Sequence, residues 1–434
     1  MNGFIRLVAV ASLAALASCG EDELILEGPR EPLRSQTETV EQVNRVVPVT
    51  LPVPVSNSEW DHKGGAQTHA VPNPLLRQPL AAVWSTDIGS GNNRSLRLAA
   101  DPIVSGGRVF TLDAKSRLSA VGLDGDVLWT RDLTPGGERP GDASGGGLAA
   151  DGGVLYVTTG FGRVVALDPA SGDVRWEQRL DAAAGGAPMV ANGVVYLTTR
   201  NASGWALDGR TGRILWQILA TPADGALVGG PSPALAGELV VFPFASGQLV
   251  AANRTTGDRT WIASIAGNRP DRAFSRVRDV TGDPVVVGGR IYAGTHGGRT
   301  SAINAATGQV IWTANEGAMS PVWVAGGSVF LISDENRLVR LEADTGEIVW
   351  SVDLPFYTKE KQSRRKTIYA HYGPILAGGR LIVLSDDEII RNFDPASGAL
   401  ISVDELPSGA ARNPVVAGGV LYVVTEDGRL HAFR

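Results

Sequence analysis

Residues 413–434 read NPVVAGGVLYVVTEDGRLHAFR: a Gly-Gly turn, a β-rich strand, a second turn and a second strand. Alternating apolar residues bounded by glycine-rich turns mark antiparallel strands joined by hairpins. The same unit occurs seven times upstream, at SGGRVF, DGGVLY, ANGVVY, AGELVV, VGGRIY, AGGSVF and AGGRLI. Most of those copies then run through Asp or Asn and a Thr/Ser-Gly turn into a closing strand, as in LDPASGDVRW, LDGRTGRILW, ANRTTGDRTW, INAATGQVIW and LEADTGEIVW. After residue 434 the eighth copy has no such strand.

Each copy supplies about four strands in roughly 44 residues, the size of one β-propeller blade. The expected fold is therefore all-β, an eight-bladed β-propeller of four-stranded antiparallel blades. The missing strand has a source upstream of the first copy. PLAAVWSTDIG, residues 79–89, reads as an unpaired closing strand with Trp84 in the Trp position. It is expected to complete the last blade, pairing the two ends of the repeat and leaving no free sheet edge. Trp84, Trp129, Trp176, Trp216, Trp261, Trp312 and Trp350 share one blade position and are expected to pack between neighbouring blades. The seventh copy, NFDPASGALIS, has no Trp and must close with smaller residues.

The chain has 434 residues with 43% hydrophobic content, 54 glycines and a formal charge of −6 without a basic face, which disfavours nucleic acid as a partner. At the start, MNGFIRLVAVASLAALASCG carries one charge, Arg6, before a short apolar run. That run is too short to span a bilayer and reads as an export signal, residues 1–18. Leu16-Ala17-Ser18-Cys19 resembles the lipobox of bacterial lipoproteins, which implies acylation of Cys19, the only cysteine. Gly20 in place of Asp favours retention at the outer membrane. Residues 19–75, polar and then Pro-rich (VPVTLPVPV), are expected to be a flexible periplasmic tether, with the propeller spanning 76–434.

The repeat GGxhYhxxxxGxhhAhDxxTGxhhW, with h apolar, is similar to that of pyrroloquinoline quinone dehydrogenases and their non-enzymatic relatives, over about four-fifths of the chain. NSEWDHKGGAQTHAVPN also looks like that family's lead-in. The combination of lipobox, tether and propeller resembles the lipoprotein branch serving the outer-membrane β-barrel assembly machinery. That resemblance implies a scaffold with no catalytic residues, metal or cofactor. Its implied partners are the POTRA domains of the central barrel subunit, BamA, together with the membrane, reached through the lipid anchor. Its implied place is the periplasmic side of the outer membrane.

The family's contact loops match two segments here. In PADGALVGGPSP, residues 222–233, the apolar contact falls at Leu227 and the basic one at Val228, a departure. In RAFSRVRDVTGDP, residues 272–284, one acidic contact coincides with Asp279 and a second falls at Thr281; Arg276 and Arg278 stand ready to pair with Asp279. A third loop, residues 354–374, holds six basic residues, counting His371, against one acid, and is suited to a lipid surface, an acidic partner or plain solvation.

Two rival functions remain open: a quinone-dependent dehydrogenase, and a propeller platform for another envelope complex. Against the first, the single cysteine excludes the adjacent-cysteine pair often found in such enzymes. No Glu, Asn and Asp trio falls at ligand positions. Asp168, Asp208, Asn304 and Asp394 all sit in the repeat's own turn, where a side-chain oxygen caps backbone N–H groups. His62, His69, His296, His371 and His431 show no metal-ligand spacing.

Overall fold

The structure, a computed structural model, describes residues 44–223, 229–267 and 277–434. Its strands form eight four-stranded antiparallel sheets arranged as the blades of a propeller. In the first blade they run in chain order, Ile103–Ser105, Arg108–Leu112, Arg117–Gly122 and Val127–Asp132. The next six blades, 146–179, 189–219, 234–264, 285–314, 323–353 and 371–405, repeat that order. The eighth takes Val415–Ala417, Val420–Thr425 and Arg429–Phe433 from one end of the repeat and Ala82–Asp87 from the other. Ala82 lies opposite Phe433 and Asp87 opposite Arg429, so residues 79–89 do complete the last blade.

Burial follows from stacking blade on blade. The second and third strands are covered on both faces, as in Arg117–Gly122, where every residue after Arg117 is buried. The fourth strand, at the rim, alternates instead: Val127, Leu128, Thr130 and Asp132 are exposed, while Trp129 and Arg131 are half-buried. One covered face and one wet face give that alternation.

The tryptophans do more than fill space. Each sits on the fourth strand of one blade and clasps the turn between the third and fourth strands of the next. Trp129 Nε1 donates to Pro169 O at 3.2 Å, Trp176 Nε1 to Gly209 O at 2.8 Å, and Trp312 Nε1 to Ala343 O at 2.9 Å. Trp84, Trp261 and Trp350 donate likewise to Leu123, Ala305 and Pro395. The indole face covers the glycine of the same turn, Gly172 beneath Trp129 and Gly346 beneath Trp312, where a Cβ would stand 2.7 and 2.5 Å from ring carbons. Both glycines have φ of 75°, so backbone and ring each demand glycine there. Trp216 covers Gly257 in the same way, but its Nε1 has no partner among the described residues. The matching carbonyl, Arg254 O, accepts the Tyr196 hydroxyl at 2.8 Å.

This geometry explains the seventh copy. A Trp there would reach for the third-to-fourth-strand turn of blade eight, and that turn does not exist, because the two strands come from opposite ends of the repeat. Ser402 occupies the position, facing Asn392 in the register where Trp129 faces Ala120. Its Oγ accepts from Gln78 Nε2 at 2.6 Å, tying the blade to the lead-in of the closing strand.

One expectation is corrected. Residues 44–75 are no free tether; they belong to the same compact unit as the propeller, which starts at Val43. Asn44 pairs with Ser351 on the rim strand of blade six, through Asn44 Nδ2 to Ser351 O and Ser351 N to Asn44 Oδ1, 3.0 and 2.9 Å. The chain then crosses blade six, where Arg340 donates to Val47 O, and reaches the inner strands. From residue 57 to 76 it visits every blade in ring order. Gly418 N of blade eight donates to Asn57 O, Val104 N of blade one to Trp60 O, and Ala150 N of blade two to Asp61 O. His62 Nε2 meets Val190 of blade three, Leu235 N of blade four donates to Gln67 O, and Val286 N of blade five to Thr68 O. Trp323 of blade six donates to Pro72 O and Gly378 N of blade seven to Pro74 O. The inward edges of the inner strands, otherwise bare, are thereby paired. Proline-rich sequence and the lack of a repeat make this stretch read as tether; most of its bonds to the blades run through its own backbone, which leaves little side-chain pattern.

Candidate partner-docking face

The loops joining the rim strand of one blade to the inner strand of the next gather on one face, and both predicted contact loops belong to it. Leu227, Val228 and Arg276 lie outside the described residues, as does Cys19. The flanks of the two loops are described and firmly held. Ala220 N donates to Ala202 O and Gly230 N to Gly185 O, at 2.9 and 2.8 Å. Ile265 N donates to Gly247 O, and Val280 bridges to Thr295. Between the flanks is a small cleft of about 40 Å³ lined by Thr198, Arg200, Thr221, Pro231, Phe244 and Asp279.

The second loop delivers its residues unequally. Arg278 and Val277 are exposed, Val277 to 37%. Asp279 is only 6% exposed, and its carbonyl receives His296 N at 3.0 Å. Thr281 is half-buried and donates its hydroxyl to Ala318 O. Among the described residues of this loop the available surface is therefore basic and apolar, and Asp279 and Thr281 shape the wall behind it.

The axis is filled by groups that sequence reasoning passed over. Lys63, 6% exposed, places Nζ 3.0 Å from Asp283 Oδ1 and 3.3 Å from Gly230 O; Asp283 is fully buried and also accepts Ser232 N at 2.6 Å. Asp101, before the inner strand of blade one, accepts Arg412 Nε at 2.7 Å and Asn413 Nδ2 at 3.0 Å from blade eight, a polar lock across the seam. Burial would raise the Asp101 carboxyl, but Arg412, Lys63 and the Asn413 hydrogen bond outweigh it and hold it below the usual carboxylate range. His69 Nδ1 donates to Pro284 O, 2.9 Å away, and burial depresses its pKa. The one available signal was the DP, SP and NP dipeptides at the start of several inner strands, whose first members include Asp101, Asp283 and Asn413.

Among the described residues no group of three or more His, Cys, Asp or Glu could hold a metal ion. Among them, too, no helix is long and apolar enough to cross a membrane. Asp168, Asp208, Asn304 and Asp394 are occupied as turn caps: Asp168 Oδ1 accepts Ala170 N at 2.9 Å and Asn304 Oδ1 accepts Ala306 N at 3.0 Å. Asp208 and Asp394 cap Thr211 N and Ser397 N, both at 2.8 Å.

The third loop folds as a hairpin. Tyr357 bridges to Ile368, Thr358 N donates to Thr367 O at 3.2 Å, and Tyr369 N to Phe356 O at 2.9 Å. Residues 359–368 are all exposed, and Arg365 stacks over the Tyr357 ring at 4.9 Å.

Comparison with known proteins places this geometry in context. A family model described as "Outer membrane protein assembly factor BamB" matches residues 114–352 and 359–434. Proteins of that name from Legionella pneumophila (strain Paris) and Escherichia coli (strain K12) are 30% and 28% identical, over 81% and 80% of this chain and 87% of each relative. The crystal structure of BamB from Moraxella catarrhalis superposes with a TM-score of 0.68 at 19% identity, covering 82% of this chain and all of that one. A quinohemoprotein alcohol dehydrogenase from Comamonas testosteroni gives 0.64 at 15% identity, covering 87% and 80%. At those identities the structural likenesses show the fold alone.

Proposed function

The chain belongs to the outer membrane protein assembly factor BamB family, and from that premise we propose that it is a non-enzymatic scaffold of the outer-membrane β-barrel assembly complex. The observation that carries the reading is the family match, which runs from the third strand of blade one to the last strand of the repeat. Curated relatives of that name along most of the chain support it. The filled axis supports the scaffold role over a catalytic one, since Lys63, His69 and the Asp101–Arg412 pair are engaged with the protein itself.

In this reading residues 1–18 are removed as a signal peptide, Cys19 is acylated, and the chain up to residue 43 leads to the propeller, which hangs on the periplasmic side of the outer membrane. The rim-to-inner loop face then receives a POTRA domain of the central barrel subunit. Leu227 supplies the apolar contact, Arg278 faces the partner, and Val228, Arg276, Asp279 and Thr281 shape the surrounding surface. A rigid ring suits this task because it fixes the flanks of both loops before the partner binds. The acyl groups add effective concentration near the partner.

Site-specific photocrosslinking in the native envelope tests the assignment. A crosslinker at Arg278 or Ala223 should capture the central barrel subunit, and one at Gly107, on the opposite face, should not. Capture from Gly107 alone would place the partner on the wrong side of the ring, and capture from neither position would remove the basis for the docking face.

A further inference from the structure

The basic hairpin after blade six has a position that its sequence does not reveal. Its tip carries Lys359, Lys361, Arg364, Arg365 and Lys366 against Glu360 alone, on a chain whose formal charge is −6. Its base adds two exposed apolar side chains, Tyr357 at 42% and Ile368 at 53%. The hairpin is not a slack loop. Asn336 Nδ2 donates to Tyr369 O at 2.8 Å, Ala370 N donates to Asp386 Oδ1 at 2.9 Å, and His371 ties Pro355 O to Ser385 Oγ through contacts of 2.8 and 2.6 Å. The strand that leads into it, Ile348–Asp353, is the strand that Asn44 and Arg45 join. Ser351, the partner of Asn44, lies three residues before Leu354, where the loop starts. Along a strand that is about 10 Å. Asn44, from which the chain leads back to Cys19, and the base of the basic hairpin therefore lie on one rim of the ring.

We propose that the hairpin 356–369 is a second membrane contact, binding the anionic phospholipid surface with its five Lys and Arg side chains while Tyr357 and Ile368 settle at the headgroup level. The inference rests on the lipid-anchored reading given above, because the shared rim argues for a membrane only if the leash from Cys19 ends in one. An acyl anchor alone leaves the propeller free to swing, and a basic patch at the leash's point of attachment restricts that swing. Acyl chain plus basic cluster is the two-signal arrangement that gives stable membrane residence. It would also fix which blades face the membrane, leaving blades three to five, with their loops, turned toward a protein partner.

The test uses the full chain carrying Cys19→Ser, so that no acyl group can contribute. It is floated with vesicles of pure phosphatidylcholine and with vesicles containing phosphatidylglycerol, at low and at physiological salt. Binding is expected only to the anionic vesicles and should weaken with salt. Each of Lys359→Gln, Lys361→Gln, Arg364→Gln, Arg365→Gln and Lys366→Gln should lower the partition coefficient roughly five-fold at low salt. All five together should abolish it, with the thermal melt unchanged because these side chains are exposed. Ile368→Ser should weaken the residual binding that survives salt. Absence of binding to anionic vesicles, or equal binding to neutral ones, overturns the proposal. So does retention of binding by the five-fold variant. Crosslinks from Ser363 to an acidic protein together with no vesicle binding would assign the hairpin to a protein partner instead. Crosslinking from Arg278 is independent of all these outcomes, so failure here leaves the assembly-factor reading standing and failure there is separately visible.

Discussion

Ala81 and Arg434 exchange two main-chain hydrogen bonds, Ala81 N to Arg434 O at 2.9 Å and Arg434 N to Ala81 O at 2.8 Å. These bonds, the strand pairing beside them and the Asp101–Arg412 pair make the seam as continuous as any other join in the ring. Removal of residues 429–434 leaves Ala82–Asp87 unpaired and exposes the edge of Val420–Thr425. The truncated chain should lose its single cooperative melt by circular dichroism and elute as oligomers, because bare strand edges pair between molecules. A monomer with an intact melt would show that the seam is dispensable.

The tryptophan clasps differ at one atom. Trp312→Phe removes a donor to Ala343 O and should cost about 1–2 kcal/mol in urea denaturation. Trp216→Phe removes an indole N–H with no partner among the described residues, and its hydrogen-bond loss should be near zero. Equal losses would mean that the clasp acts through ring area alone.

Glycines in the repeat separate into two kinds. Gly327→Ala meets nothing within 4 Å and suffers only the left-handed backbone, φ 71°, at roughly 1–2 kcal/mol. Gly346→Ala has the same backbone strain, and its Cβ also collides with the Trp312 ring, so its loss should be clearly larger. Differential scanning calorimetry of the pair distinguishes them.

Lys63→Met should cost about 3–5 kcal/mol, because Asp283 is left as an uncompensated buried carboxylate. Adding Asp283→Asn removes the stranded charge and should recover much of that loss. Urea midpoints of the single and double variants provide the measurement.

Acid sensitivity should come from the histidines. Burial is the main cause that lowers the pKa of His69, His371 and His431 below the ordinary 6.5. The unfolded chain therefore takes up these protons first, and the stability they contribute is present above about pH 6.5 and lost as pH falls toward their folded values. Asp386 opposes them: burial pushes its carboxyl up to about 6, so its ionisation costs the fold at neutral pH and that cost is relieved on acidification. Asp386→Asn should raise the urea midpoint at pH 7.5 and steepen its fall between pH 6.5 and 5. An unchanged pH profile would show that Asp386 is solvated in the folded protein.

Most of the ring was legible because its repeat is written in glycine turns and apolar alternation, which backbone geometry demands wherever a blade occurs. The closing strand was legible for the same reason, since Trp84 keeps the pattern alone upstream. What Trp84 and its counterparts grip was not legible, because each partner turn lies a blade away and is met only after folding. The axis was illegible for a different reason: Lys63 and Asp283 are single residues in unrelated segments, joined only by the circular path of the lead-in. Asp279 could be located by resemblance to the contact loop, but its burial could not, since exposure of a loop residue depends on the neighbouring blades.

The path of residues 57–76 carries a consequence for how this architecture can change. Tandem modules gain and lose copies readily, and a closed circle would tolerate such events if each module met only its neighbours. Here one extended thread has a docking point for every sheet, in sequence, from Asn57 with blade eight through Trp60 with blade one to Pro74 with blade seven. Adding or deleting a module would put that series out of phase with the circle, leaving some sheets without a docking point and some docking points without a sheet. The thread thus acts as a ruler for the number of modules.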